Sequence, residues 1–192
     1  TFYVCKNDFW VQAHVGETPE QRMERLLSHD GDRERRTGTR IIPLGHIDLQ
    51  IPAMAGAKYL AEQDLYHAEV RGSYHVVNTS RSCFVTSWVC AVENLMVLEI
   101  TAGDEPLPGV SVSPHAGEKG QYERFAYSDG TDGDAVWVKY AANYQNVPGR
   151  RIAAMAARGV DKEPRLGDGL YAKTITFDLA PNESVCVAVS IL

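Results

Sequence analysis

Asp64-Leu65-Tyr66-His67-Ala68-Glu69-Val70 opens the stretch that decides the fold, and that stretch runs on to Thr101. A polar patch at Asn78–Ser82 comes next, then a strand-like run from Cys83 to Ala91. A tight polar break at Glu93-Asn94 separates it from a second run, Leu95–Thr101. Long strands joined by short polar breaks build a large antiparallel sheet, and its second face needs a partner layer to be buried.

The same pattern extends in both directions. Ile47, Leu49 and Ile51 alternate with His46, Asp48 and Gln50, a half-buried strand closed by Pro52. Further strands are predicted at Tyr66–Val77, Phe84–Val92, Leu95–Thr101, Val110–Ser113, Ala135–Tyr140, Tyr171–Leu179 and Ser184–Ile191, the last two joined by a turn at Ala180-Pro181-Asn182-Glu183. Met54–Ala61 reads as an alanine-rich connector, and Gly117–Gly133 as a long polar loop. One helix is signalled over Pro19–Ser28. Thr18 is its N-cap, Pro19 suits the first helical position, and Gln21 completes a capping box. Arg151–Arg158, with its alanines and a Met, favours helix by propensity and strand by its neighbours, so the residues leave it open. About nine strands against one short helix define an all-β, two-sheet antiparallel sandwich, and no linker or repeat divides residues 1–192.

Composition narrows the partners. A net charge of −6 over 192 residues argues against a nucleic-acid surface, and the run Asp30–Arg36 mixes both signs as a solvated loop does. A hydrophobic fraction of 44% is that of a packed globular protein. No apolar run reaches the roughly 18 residues that a membrane-spanning helix needs. The chain opens at Thr1 with no initiator Met and no visible signal peptide, which predicts a processed or excised piece. Sequons at Asn78 and Asn182 fit secretion, but such triplets arise often by chance.

The search for local chemistry is mostly negative. Cys5, Cys83, Cys90 and Cys186 make no CxxC pair and read as small strand residues, with a disulfide of Cys5 or Cys186 as the alternative. His14, His29, His46, His67, His75 and His115 show no HExxH or i, i+4 spacing, so neither a metal nor a cofactor is expected. Asp129-Gly130-Thr131-Asp132-Gly133-Asp134 offers carboxylates to calcium without the EF-hand spacing, and Asp-Gly pairs more often turn hairpins. No serine sits in a GxSxG elbow, and no catalytic group is expected in the chain. Lys6-Asn7-Asp8-Phe9-Trp10 gathers amide, carboxylate and ring as sugar-binding segments do; equally, its rings are core and its polar residues a bend.

Several segments together resemble the N-terminal domain of glycoside hydrolases of families 95 and 65. They are Pro43–Leu49, Gln63–Val70, Phe84–Trp88, Glu93–Leu98, Ala154–Val160, Leu179–Val185 and the opening Lys6–Trp10, in that family's order and spacing. The resemblance implies a galactose-mutarotase-like supersandwich set before an (α/α)6 catalytic barrel, and it assigns the alanine segment to a strand. It implies an accessory domain of an exo-acting glycoside hydrolase, with the catalytic carboxylates in the absent barrel. Asn7, Asp8, Trp10 and His46 would face that barrel and contact a carbohydrate ligand. Two rival readings are a stand-alone carbohydrate-binding or interaction module and a mutarotase-like epimerase, which needs a histidine acid such as His67 or His75 beside a carboxylate base.

Overall fold

The computed structural model describes residues 2–12, 18, 20–21, 39–90, 92–116, 125–142, 151–169 and 173–191. Among them are thirteen strands: β1 (Phe2–Gln12), β2 (Thr39–Gln50), β3 (Lys58–Asp64), β4 (Glu69–His75), β5 (Ser82–Val89), β6 (Leu95–Ala102), β7 (Leu107–Ala116), β8 (Phe125–Asp132), β9 (Ala135–Ala142), β10 (Arg151–Gly159), β11 (Arg165–Asp168), β12 (Lys173–Leu179) and β13 (Ser184–Ile191). A five-stranded sheet has the order β1-β2-β7-β12-β11, and an eight-stranded sheet the order β3-β4-β5-β6-β13-β10-β9-β8. Neighbouring strands run antiparallel. The expected all-β sandwich of two antiparallel sheets is what forms.

Side-chain alternation puts the core between the sheets. Val185, Val187 and Val189 on β13, Leu98 and Ile100 on β6, and Val136 and Val138 on β9 point inward from the larger sheet, all fully buried. The smaller sheet answers with Ile47, Val110, Val112, Ile175 and Phe177. Each such side chain contributes about 1.5–3 kcal/mol of burial, so period-two patterning is the main determinant of register. Thr174, a buried polar residue, donates its hydroxyl to the Val112 carbonyl at 3.1 Å and is thereby satisfied. Cys83 lies in the core as a free thiol, its pKa pushed up to about 12 by burial. Cys90 and Cys186 are free and half-buried.

Several expectations need correction. Tyr66–Val77 is not one strand: Leu65–Ala68 turns the chain between β3 and β4. The turn is built by Asp64, whose carboxylate accepts the Tyr66 and His67 amides at 3.0 Å each and approaches the His67 ring Nδ1 at 2.7 Å. Ala68 then takes φ +56°. The supposed connector Met54–Ala61 holds the end of a 3-10 turn, Pro52–Met54, and the first half of β3. The second half of the supposed loop at 117–133 is β8, while residues 117–124 lie outside the described ones. β8 and β9 form a hairpin with Asp132 opposite Ala135, so the Asp-Gly run turns the chain, and Asp134 pairs with Arg158 at 3.0 Å. The alanine segment is strand β10. Of the expected helix, Glu20 and Gln21 are helical, and the capping box is made in both directions, Thr18 N–H to Gln21 Oε1 at 2.9 Å and Gln21 N–H to Thr18 Oγ1 at 3.3 Å. Its remainder, like the charge run, lies outside the described residues. No helix among the described residues is long and apolar enough to cross a membrane.

The Asp64 turn has a pH signature. The His67 ring bond, with the His67 amide next, holds the Asp64 carboxyl down at about 2, below its ordinary 3.8. A depressed carboxyl contributes stability above its unfolded pKa, and the contribution is lost as pH falls from about 3.8 towards 2. Carboxyl-carbon NMR should show Asp64 titrating well below 3.8. Asp64→Ala should accelerate amide exchange at Tyr66 and His67; an ordinary titration and unchanged exchange would refute the turn's construction.

Candidate functional site

β2 and β7 are neighbours in the smaller sheet, and their register sets His46 directly opposite His115. Ile47 is buried in the core, so alternation turns His46, Asp48 and Gln50 to the outer face. The His46 and His115 rings stack with centroids 4.5 Å apart and planes 12° from parallel. Asp48, two residues along the same face, brings its Oδ2 to 3.4 Å from His46 Nε2 and 3.8 Å from His115 Nε2. The side chains retain 18%, 24% and 12% exposure for His46, Asp48 and His115, so solvent reaches a site whose walls are already partly dry. Ser113 pairs with Asp48 and Ser111 with Gln50, and Thr176 lies opposite Ser111 on β12. Small hydroxyls therefore continue the polar face away from the histidine pair.

Gly45 makes the approach of β2 to β7 feasible. It is buried at φ +148°, and a Cβ there would stand 1.9 Å from the His115 carbonyl oxygen. Only a residue without a side chain lets the two strands close beside the histidines.

Of the four residues expected to contact sugar, His46 is at this site. Asn7, Asp8 and Trp10 lie on β1, the edge strand beside β2, and their side chains are outside the described part of the structure. The backbone shows where they sit. Cys5 pairs with Pro43 and Trp10 with Ile41, five steps along β1 against two along β2. Asn7 and Asp8 thus occupy a bulge of three extra residues, a device that re-aims side chains at the rim of a sheet. His67 and His75 lie on or beside the β3–β4 hairpin of the other sheet, away from His46.

Sequence reasoning singles out neither Asp48 nor His115 as a site residue. For Asp48 a signal was available in the His46-x-Asp48 spacing on a period-two strand. For His115 there was none, because its pairing is a property of the assembled sheet.

The fold defined by these strands is an antiparallel two-sheet supersandwich. It is similar to a solved structure described as a putative kojibiose phosphorylase from the human microbiome, with a TM-score of 0.57 at 10% identity over 80% of this chain. The chain spans 23% of that protein's length. At that identity the similarity shows the fold alone. No family model matches the chain, and no curated protein matches it.

Proposed function

We propose that the chain is an accessory β-sandwich domain of a carbohydrate-active enzyme related to glycoside hydrolase family 65, one that packs on a helical catalytic barrel and helps shape its sugar pocket. The observation carrying this reading is the fold similarity over four-fifths of the chain to part of a much longer protein described as a kojibiose phosphorylase, in the direction that the sequence resemblance implies. Exposed apolar surface supports it. β3 is exposed along nearly its whole length, and with Leu65 at 81% and Tyr66 at 92% exposure its hairpin presents the kind of patch that a second body covers. The family 95 relation draws no support from the comparison.

The encoding gene gives the direct test. A region of several hundred residues with helical periodicity downstream of Leu192 supports the reading, and a stop codon there sinks it in favour of a stand-alone binding module. The chain by itself should hydrolyse or phosphorolyse no glycoside.

In the intact enzyme, Asp8 and Asn7, placed in the β1 bulge beside the strand of His46, orient substrate hydroxyls and transfer no proton. Removing one such partner leaves a buried group unpaired, about 1–3 kcal/mol. Asp8→Ala should lower kcat/KM at least about tenfold with the thermal midpoint unchanged. Unaltered kinetics would reduce Asp8 to a bend in an edge strand.

A further inference from the structure

We infer that His46, Asp48 and His115 form a binding site for a divalent cation of the zinc class. This goes beyond the sugar-pocket reading and does not depend on it.

The geometry carries the argument. Nε2 of both histidines approaches a single oxygen, Asp48 Oδ2, at 3.4 and 3.8 Å. Both separations are near the spacing of two ligands on one four-coordinate ion, which for bonds of about 2.0–2.1 Å and tetrahedral angles is roughly 3.4 Å. The three donor atoms all lie within 4.8 Å of one another, and turning the stacked rings out of parallel aims both Nε2 lone pairs at a common centre. Two imidazoles and a carboxylate are a borderline donor set that suits zinc better than the hard cations calcium and magnesium, which take oxygen.

The supporting structure is rigid. His46 and His115 are held opposite each other by strand register, and Gly45 allows the close approach immediately before His46. A ligand set built on two adjacent strands is preorganised in a way that one on a loop is not. This site also explains how metal chemistry escapes a motif search: that search looks for histidines spaced along one element, whereas these two are 69 positions apart (115 − 46) and meet across a ladder.

The test uses the chain stripped with EDTA and titrated with Zn²⁺ by calorimetry. One equivalent should bind and raise the thermal midpoint, and Co²⁺ in its place should give the visible absorption of a four-coordinate ion with nitrogen and oxygen ligands. Asp48→Asn and His115→Gln should each weaken Zn²⁺ at least about a hundredfold, the upper end of what even outer-shell changes cause. His75→Gln, on β4 of the other sheet, should leave it unchanged. Absence of Zn²⁺ binding by the unaltered chain overturns the proposal, as does full affinity in His115→Gln and Asp48→Asn. If either variant fails to fold, X-ray absorption on the Zn²⁺-loaded natural chain decides: the multiple-scattering pattern of two imidazoles supports the site, and its absence removes it. A null result here leaves the accessory-domain reading intact, since that reading rests on the fold and on the flanking gene.

Discussion

Gly45→Ala should unfold the β2–β7 seam and lower stability by about 3–5 kcal/mol, combining backbone strain at a positive φ with overpacking. The added Cβ would stand 1.9 Å from the His115 carbonyl oxygen and 2.7 Å from Met155 Cε. Met155 can swing its terminal methyl aside. The carbonyl belongs to the backbone of β7 and cannot, so the strands must part where Gly45 faces Ala116. For a chain of this size the expected fall in thermal midpoint is about 6–20 °C. Gly56→Ala is the matched control: its φ is +75° but nothing lies within 4 Å of the new Cβ, so only the conformational cost of about 1–2 kcal/mol applies. Equal melting of the two variants would show that the contact with His115 is unimportant.

Phe177→Ala is expected to cost a comparable amount, about 3–5 kcal/mol. Phe177 heads the fully buried side chains by size and is 1% exposed. It projects from β12 opposite Val110 and reaches across to Gly159 of β10, where a Cβ, if the glycine had one, would meet the ring at 3.0 Å. The ring therefore joins the two sheets, and removing it leaves a cavity that rigid strands on both sides collapse into poorly. Urea unfolding should show a lower midpoint with an unchanged slope, the sign of lost stability without a changed denatured state. A loss under about 1 kcal/mol would mean that the sheets close over the gap.

How far the sequence reveals this structure depends on where each strand keeps its information. β5, β6 and β13 carry strict alternation of buried and outward residues, and the predicted runs fall on them within a few positions. β8 is invisible locally because Ser128, Asp129, Gly130, Thr131 and Asp132 look like a loop. Its place is fixed by pairing with β9, where Trp137 lies over Gly130 at a distance that admits no side chain on the glycine. β11 is exposed throughout and held by pairing with β12 and by Arg165, which grips Asp178 at 2.5 and 2.9 Å. The β3–β4 turn escapes notice because Leu65 and Tyr66 are good strand residues, and the Asp64 side chain overrides them by satisfying two turn amides. At the candidate site, His46 is singled out by the family resemblance alone, as a sugar contact and not as a metal ligand. Asp48 is within reach by alternation, while His115 waits on a register between strands that no local rule specifies.

The position of β13 has a bearing on how the molecule comes into being. Ser184–Ile191 lies between β6 and β10, so the block β3–β6 and the block β8–β10 have no hydrogen-bonded connection until that segment has left the ribosome. Each block meanwhile presents an open edge, β6 on one side and β10 on the other, the kind of edge that recruits strands from other chains. The ladder of the larger sheet thus stays in two pieces until β13 arrives. Chaperone dependence and losses to inclusion bodies should concentrate in that interval, and a variant slow to insert β13 would fail in production while its finished fold remained as stable as any other.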